Sequence, residues 1–258
     1  MTTDSPHHRS GPDGEPGRDR RSRPERRSAV DQPSTVSRPL RSLVRLVVLI
    51  TTWLTRSDWR RVDRLESATG GRGAVLVVNH ISNVDPILVG AFLAKNGVWP
   101  RFLAKDSLFG VPLLGRLLRG IGQIPVLRQT AEARDALEHA MATLKRGDSV
   151  VIYPEGTITN DPQLWPMRGK TGAARLALQT GAVVIPVGQW GAQQILYGKR
   201  TGVPRILPPK RISLLVGDPV DLDDLRTSPV TSQNAHEGTR RIMAAITELV
   251  EELRQEKR

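Results

Sequence analysis

His80 and Asp85 are the pair of side chains in this sequence best suited to move a proton, a histidine and a carboxylate with four residues between them. An imidazole exchanges its proton near neutrality, so it can take one from an alcohol as that alcohol attacks; a carboxylate behind it fixes the tautomer and stabilises the imidazolium. The pair falls in Asn79-His80-Ile81-Ser82-Asn83-Val84-Asp85-Pro86, directly after the β-branched run AVLVV at 74–78. Reactive groups of α/β sheets tend to sit just past the carboxyl ends of strands. A plainer account also fits, in which Asp85 is the N-cap of a helix and Pro86 belongs to its first turn. The two accounts are compatible, because a capping aspartate is a rigidly held one.

A second set, Tyr153-Pro154-Glu155-Gly156-Thr157, again follows a strand-like run. Pro and Gly around a carboxylate read as a tight turn, or as a fixed Glu155 that accepts hydrogen bonds from substrate hydroxyls while Gly156 lets backbone amides approach. A third set is basic: Lys105 and Arg128, with Arg116 and Arg119 nearby. Guanidinium forks suit phosphate oxygens and lysine adds a point charge, with surface solvation the alternative for each. In the fourth, Val184-Ile185-Pro186-Val187-Gly188, the internal proline marks an edge strand or one that lines a site.

Several chemistries are excluded. The chain has no Cys, which removes disulfides and thiolate nucleophiles. Its five His show no metal-ligand spacing, so no metal is expected. Gly169-Lys170-Thr171 mimics the end of a phosphate-binding loop, but Leu164 occupies the position of its first glycine. No GxSxG turn is present for a serine nucleophile.

These residues need a frame. Apolar runs at 74–78, 149–153, 183–187 and 211–216 alternate with helical patterns, which predicts one α/β domain over 63–258, a sheet covered by helices. In 130–146, Ala133, Leu137, Ala140, Met141 and Leu144 share a face, with His139 opposite; 234–256 repeats the pattern with Ile242, Ile246, Leu249, Val250 and Leu253. Residues 1–37 are rich in Arg, Pro, Ser and Gly and read as a disordered basic tail, with or without an anionic lipid partner. Residues 38–62 read as a helix lying in a membrane interface, or as an ordinary core helix. Its apolar stretch is short of the roughly 20 residues that span a bilayer, and Trp53 and Trp59 stand beside arginines. A secretory leader is disfavoured, because the apolar stretch starts some way in and lacks a small-residue cleavage site. The net charge of +12 attracts anionic partners: phospholipid, phosphorylated substrate or nucleic acid. An aromatic content of 4% argues against the stacking runs of a single-strand binder.

Taken in order, NHISNVD (79–85), GQIPVLR (122–128), YPEGT (153–157) and VIPVG (184–188) resemble the four blocks of the glycerolipid acyltransferases of the 1-acylglycerol-3-phosphate acyltransferase type. The resemblance covers about residues 70–217. It implies a mixed β-sheet flanked by helices and transfer of an acyl group from acyl-coenzyme A or acyl carrier protein to lysophosphatidate, with no cofactor and no nucleic acid; the rivals are another lysolipid or glycolipid acceptor, or a non-catalytic protein that binds membranes through its basic surface. It also implies work at the cytoplasmic face of the cell membrane. By the same resemblance His80 is the base, Asp85 orients it, Arg128 and Lys105 meet the acceptor phosphate, and Glu155, Gly156 and Thr157 form the acceptor-binding block. The arginine that often follows that block is Ile158 here, so one phosphate contact is missing or falls to another residue such as Arg168. Pro125 and Leu127 stand where bulkier or polar residues are frequent.

Overall fold

Short runs of Val, Ile and Leu, apolar on both faces and with the Val and Ile stiff at χ1, form strands buried between two layers of helix. The computed structural model has that arrangement and describes residues 36–69, 72–126, 133–199, 202–226 and 229–255. All but the last two residues of the expected 1–37 tail, and Arg128, lie outside the described residues. The order is α1 (Arg38–Leu54), β1 (Thr55–Arg60), α2 (Asp63–Thr69), β2 (Val75–Val78), α3 (Asp85–Lys95), β3 (Pro100–Lys105), α4 (Leu114–Gly120) and β4 (Ile124–Val126). Then come α5 (Ala133–Lys145), β5 (Ser149–Ile152), α6 (Gly172–Thr180), β6 (Val184–Trp190), β7 (Lys210–Val216) and α7 (Ser232–Gln255).

The strands make one mixed sheet in the order β1-β7-β6-β2-β5-β3-β4, in which only the β6–β7 pair is antiparallel. Strand pleating sends successive side chains to opposite faces. In β2, Leu76 and Val78 enter a core with Leu88, Val89, Phe92 and Leu93 of α3. Val75 and Val77 enter a second core with residues of α5, α6 and α7. The expected stripe Ile242, Ile246, Leu249, Val250 and Leu253 is the buried face of α7. That helix rides close on β6: a Cβ added at Gly188 would sit 2.7 Å from that of Leu249, which leaves room for glycine alone.

Two expectations are corrected here. The 38–62 stretch is helical only to Leu54; Thr55–Arg60 is an edge strand parallel to β7. Trp59 therefore leaves the interface and packs edge-on against Phe92, ring centroids 5.3 Å apart. Asp58 ties this strand down through Arg60, Arg211 and Ser213, and the Arg60 hydrogen bond leads in holding its carboxyl from 3.8 down to about 2. Nor is the proline-containing strand β6 an edge: it lies between β7 and β2. Pro186 is tolerated because its missing N–H faces the very end of the β7 ladder, where its carbonyl still accepts from Gly217 at 2.9 Å. Pro125, by contrast, sits in the true edge strand β4.

Helix α1 has no buried residue, and Leu46, Leu49, Ile50 and Trp53 are exposed on it. No helix among the described residues is long and apolar enough to cross a membrane.

Candidate active site

Because β2, β5, β3, β4 and β6 run parallel, their carboxyl ends share one edge of the sheet. That edge receives His80 after β2, the Tyr153–Thr157 turn after β5 and Lys105 at the end of β3. His80, Lys105, Gly156 and Thr157 line a single cavity of about 1790 Å³, whose apolar walls include Val44 and Val48 of α1, Leu117 and Leu118 of α4, Met141 of α5 and Leu176 of α6. Small-molecule pockets usually hold roughly 300–1,000 Å³. This one has the size and lining for a long aliphatic chain.

His80 is held from every side. Asp85 does not cap its own helix; Val84 is the N-cap, and the carboxylate folds back so that Oδ2 accepts from His80 Nδ1 at 2.8 Å and from the amides of Ile81 at 2.7 Å and Ser82 at 2.8 Å. Asp85 is wholly buried. Burial pushes its carboxyl upward, while His80 and the Ser82 and Ile81 amides pull it back toward the ionised form that three donors require. With Nδ1–H donated to Asp85, the tautomer assigned by the network leaves Nε2 free to accept a proton, and no protein group bonds it among the described residues. The residue before the histidine is clamped to β6: Asn79 Nδ2 donates to the Gln189 carbonyl, and Gln189 donates from its backbone N–H to Asn79 Oδ1 and from Nε2 to the Asn79 carbonyl. Ser82 Oγ anchors the loop to the Leu196 carbonyl at 2.6 Å.

Glu155 has a structural task beside the acceptor contact expected of it. Its Oε1 accepts the His80 amide at 3.0 Å and its Oε2 accepts the Met167 amide at 2.9 Å. The side chain is 3% exposed and is absent from the cavity wall, and burial raises its carboxyl against the pull of those two amides. Glu155 thus fixes the histidine's backbone from behind the cavity wall. Thr159 completes the hold by donating its N–H to the His80 carbonyl at 2.8 Å.

Tyr153 supports the imidazole face-on, with ring centroids 4.2 Å apart and 20° between planes, and Phe102 stacks behind it. Its hydroxyl is buried without a hydrogen-bond partner among the described residues, and burial raises that phenol well above its ordinary value. A buried orphan hydroxyl costs about 1–3 kcal/mol. Tyr153→Phe keeps the stack and removes the orphan, so the variant is expected to melt at or above the wild-type temperature in calorimetry and to retain activity. A fall in both would mean that the hydroxyl has a partner in the working protein.

The cations divide. Lys105 reaches the cavity wall, whereas Arg116 and Arg119 line a separate depression beside Phe109–Leu113. Arg168 is exposed and off the wall. Lys170, singled out in sequence only to dismiss a nucleotide loop, lies on it. Its Nζ stands 3.2 Å from where a Gly156 Cβ would be, so the positive φ of 69° at Gly156 and the absence of a side chain there together make room for the lysine. Arg175 and Lys199 also line the wall. No triad of His, Asp and Glu among the described residues is grouped to hold a metal ion.

The model of the family described as Acyltransferase matches residues 59–190. A chloroplastic 1-acyl-sn-glycerol-3-phosphate acyltransferase of Arabidopsis thaliana is 32% identical over 148 residues, 57% of this chain and 39% of that protein. A lyso-ornithine lipid O-acyltransferase of Pseudomonas aeruginosa is 34% identical over 128 residues, 50% of this chain and 44% of that protein. The chain thus spans less than half the length of either relative. The crystal structure of the 1-acyl-sn-glycerophosphate acyltransferase from Thermotoga maritima shares the fold, with a TM-score of 0.62 over 83% of this chain and 79% of that one, at 22% identity.

Proposed function

Since the chain belongs to the acyltransferase family, we propose that it moves a fatty acyl group from an acyl thioester to the free hydroxyl of 1-acylglycerol 3-phosphate, giving phosphatidic acid. The observation that carries this reading is a histidine, tautomerically fixed by a buried aspartate, on the wall of a large apolar cavity that also displays Lys105 and Lys170. The acceptor hydroxyl gives its proton to His80 Nε2 as its oxygen attacks the thioester carbonyl; the carbon–sulfur bond then breaks and the thiolate of coenzyme A or acyl carrier protein leaves, taking up that proton. Transfer is direct and calls on no resident cofactor. A general base contributes about 10²–10⁴-fold, so the rest comes from positioning and electrostatic stabilisation. Both substrates carry long chains, which supports work at a phospholipid surface with α1 lying in the interface; the proposed thioester donor, coenzyme A or acyl carrier protein, favours the cytoplasmic face.

Lys170 stands in for the arginine replaced by Ile158. Thiol release from palmitoyl-coenzyme A is expected with 1-acylglycerol 3-phosphate and not with monoacylglycerol. Lys170→Met should raise the acceptor KM roughly 10–100-fold, the worth of a charged hydrogen bond, with kcat little changed. Equal turnover on both acceptors would refute the phosphate reading. A second reading, a lysolipid acceptor without a phosphomonoester, is favoured by Ile158 alone, and the same assay with a lyso-ornithine lipid decides it.

A further inference from the structure

We infer that the loop Leu108–Leu114 is a second membrane-inserting element, which meets the acyl region of an anionic bilayer beside α1. Leu108, Val111, Leu113 and Leu114 are 41%, 45%, 77% and 37% exposed. Leu113 holds a φ of 63°, a backbone state unfavourable for any residue but glycine, and presents its side chain to solvent there. Four adjacent apolar side chains turned outward form the kind of patch that marks an interaction surface.

The chemistry of the partner follows from charge and from the cavity mouth. The sequence has no Asp or Glu from 107 to 131, and none from 32 to 57, the stretch that contains α1; both stretches carry arginines, among them Arg116 and Arg119 in one and Arg38 and Arg45 in the other. Exposed apolar residues flanked by cations and free of acids match a surface of anionic headgroups over hydrocarbon. Helix α1 also packs against the far end of α4, the helix that follows the loop, since Leu40 lies so close to Gly120 that a Cβ there would sit 2.5 Å from it. Leu43 and Val47 of α1 and Leu108 and Leu114 of the loop are at once exposed and part of the cavity wall, so they form its rim. A bilayer that delivers lipid to this mouth therefore contacts both elements.

The inference rests on the membrane-surface reading, and the test separates the two. The chain has no cysteine, so Leu113→Cys, Trp53→Cys and Glu248→Cys can each carry one environment-sensitive fluorophore without background. With vesicles of phosphatidylcholine and phosphatidylglycerol, emission is expected to brighten and shift to the blue at 113 and at 53, and to stay unchanged at 248 on α7. A response at 53 with none at 113 overturns the loop's role and keeps the membrane reading; no response at either overturns both. Independently, Leu113→Glu should weaken vesicle sedimentation by roughly tenfold while leaving turnover of detergent-dispersed acceptor as in wild type. Sedimentation equal to wild type would also overturn the inference.

Discussion

Replacing His80 with alanine is expected to lower kcat by roughly 10²–10⁴-fold with the acceptor KM nearly unchanged, the range that a positioned general base supplies. The side chain leaves no partner stranded on its cavity side, because Nε2 bonds no protein group among the described residues. The loss should therefore appear mainly in turnover, with a smaller fall in melting temperature because buried Asp85 gives up one of its three donors. Asp85→Asn tests the same pair from behind. An amide can keep one oxygen toward Ile81 and Ser82, but it no longer holds the imidazole in its Nδ1–H tautomer with a negative charge. Turnover should fall by a similar order in thiol-release assays. His80→Ala turning over at the wild-type rate would remove this histidine from the reaction.

Glu155→Gln separates two roles that one residue of that block could play. If its carboxylate met the acceptor, the variant would raise KM. Here both oxygens are engaged by the amides of His80 and Met167, and a glutamine offers a donor where one of those amides needs an acceptor. Leaving a buried N–H unpaired costs about 1–3 kcal/mol. The expected result is lower stability by that order and a kcat at least about tenfold down, since a base misplaced by a fraction of an ångström loses alignment with the hydroxyl, while KM stays near wild type. Acceptor titrations with a circular-dichroism melt in parallel read both quantities. A rise in KM at unchanged kcat and melting temperature would return Glu155 to substrate binding.

Local pattern was enough for the strands that carry the site. AVLVV and SVVIY are apolar on both faces, and their carboxyl ends announce where His80 and Glu155 emerge. The amphipathic stripe of α7 was equally plain. Thr55–Arg60 was not, because TRSDWR has neither strict alternation nor β-branched bulk; it is a strand through its pairing with β7, some 150 residues away. The direction in which Asp85 turns was hidden for a related reason. Asp followed by Pro is written the same way whether the carboxylate caps the helix ahead or gathers the loop behind, and only the tight path of residues 80–82 decides. Lys170 gave no local signal as a site residue; it becomes one by lying over a glycine from a distant turn. Arg128, the remaining cation of the expected acceptor site, falls outside the described residues.

Helix α1 ends at Leu54 and strand β1 begins at Thr55, with no residue between them. Such a junction has no slack. The helix is joined to the sheet like a handle to a blade, and the first strand runs beside β7 along its whole length. In the membrane-bound state proposed above, the pose of the helix in the headgroup layer would set the tilt of the sheet, and with it the depth at which the imidazole works. A tethered enzyme on a loose leash would have to find that depth anew at each encounter; a hingeless one carries it in its covalent geometry.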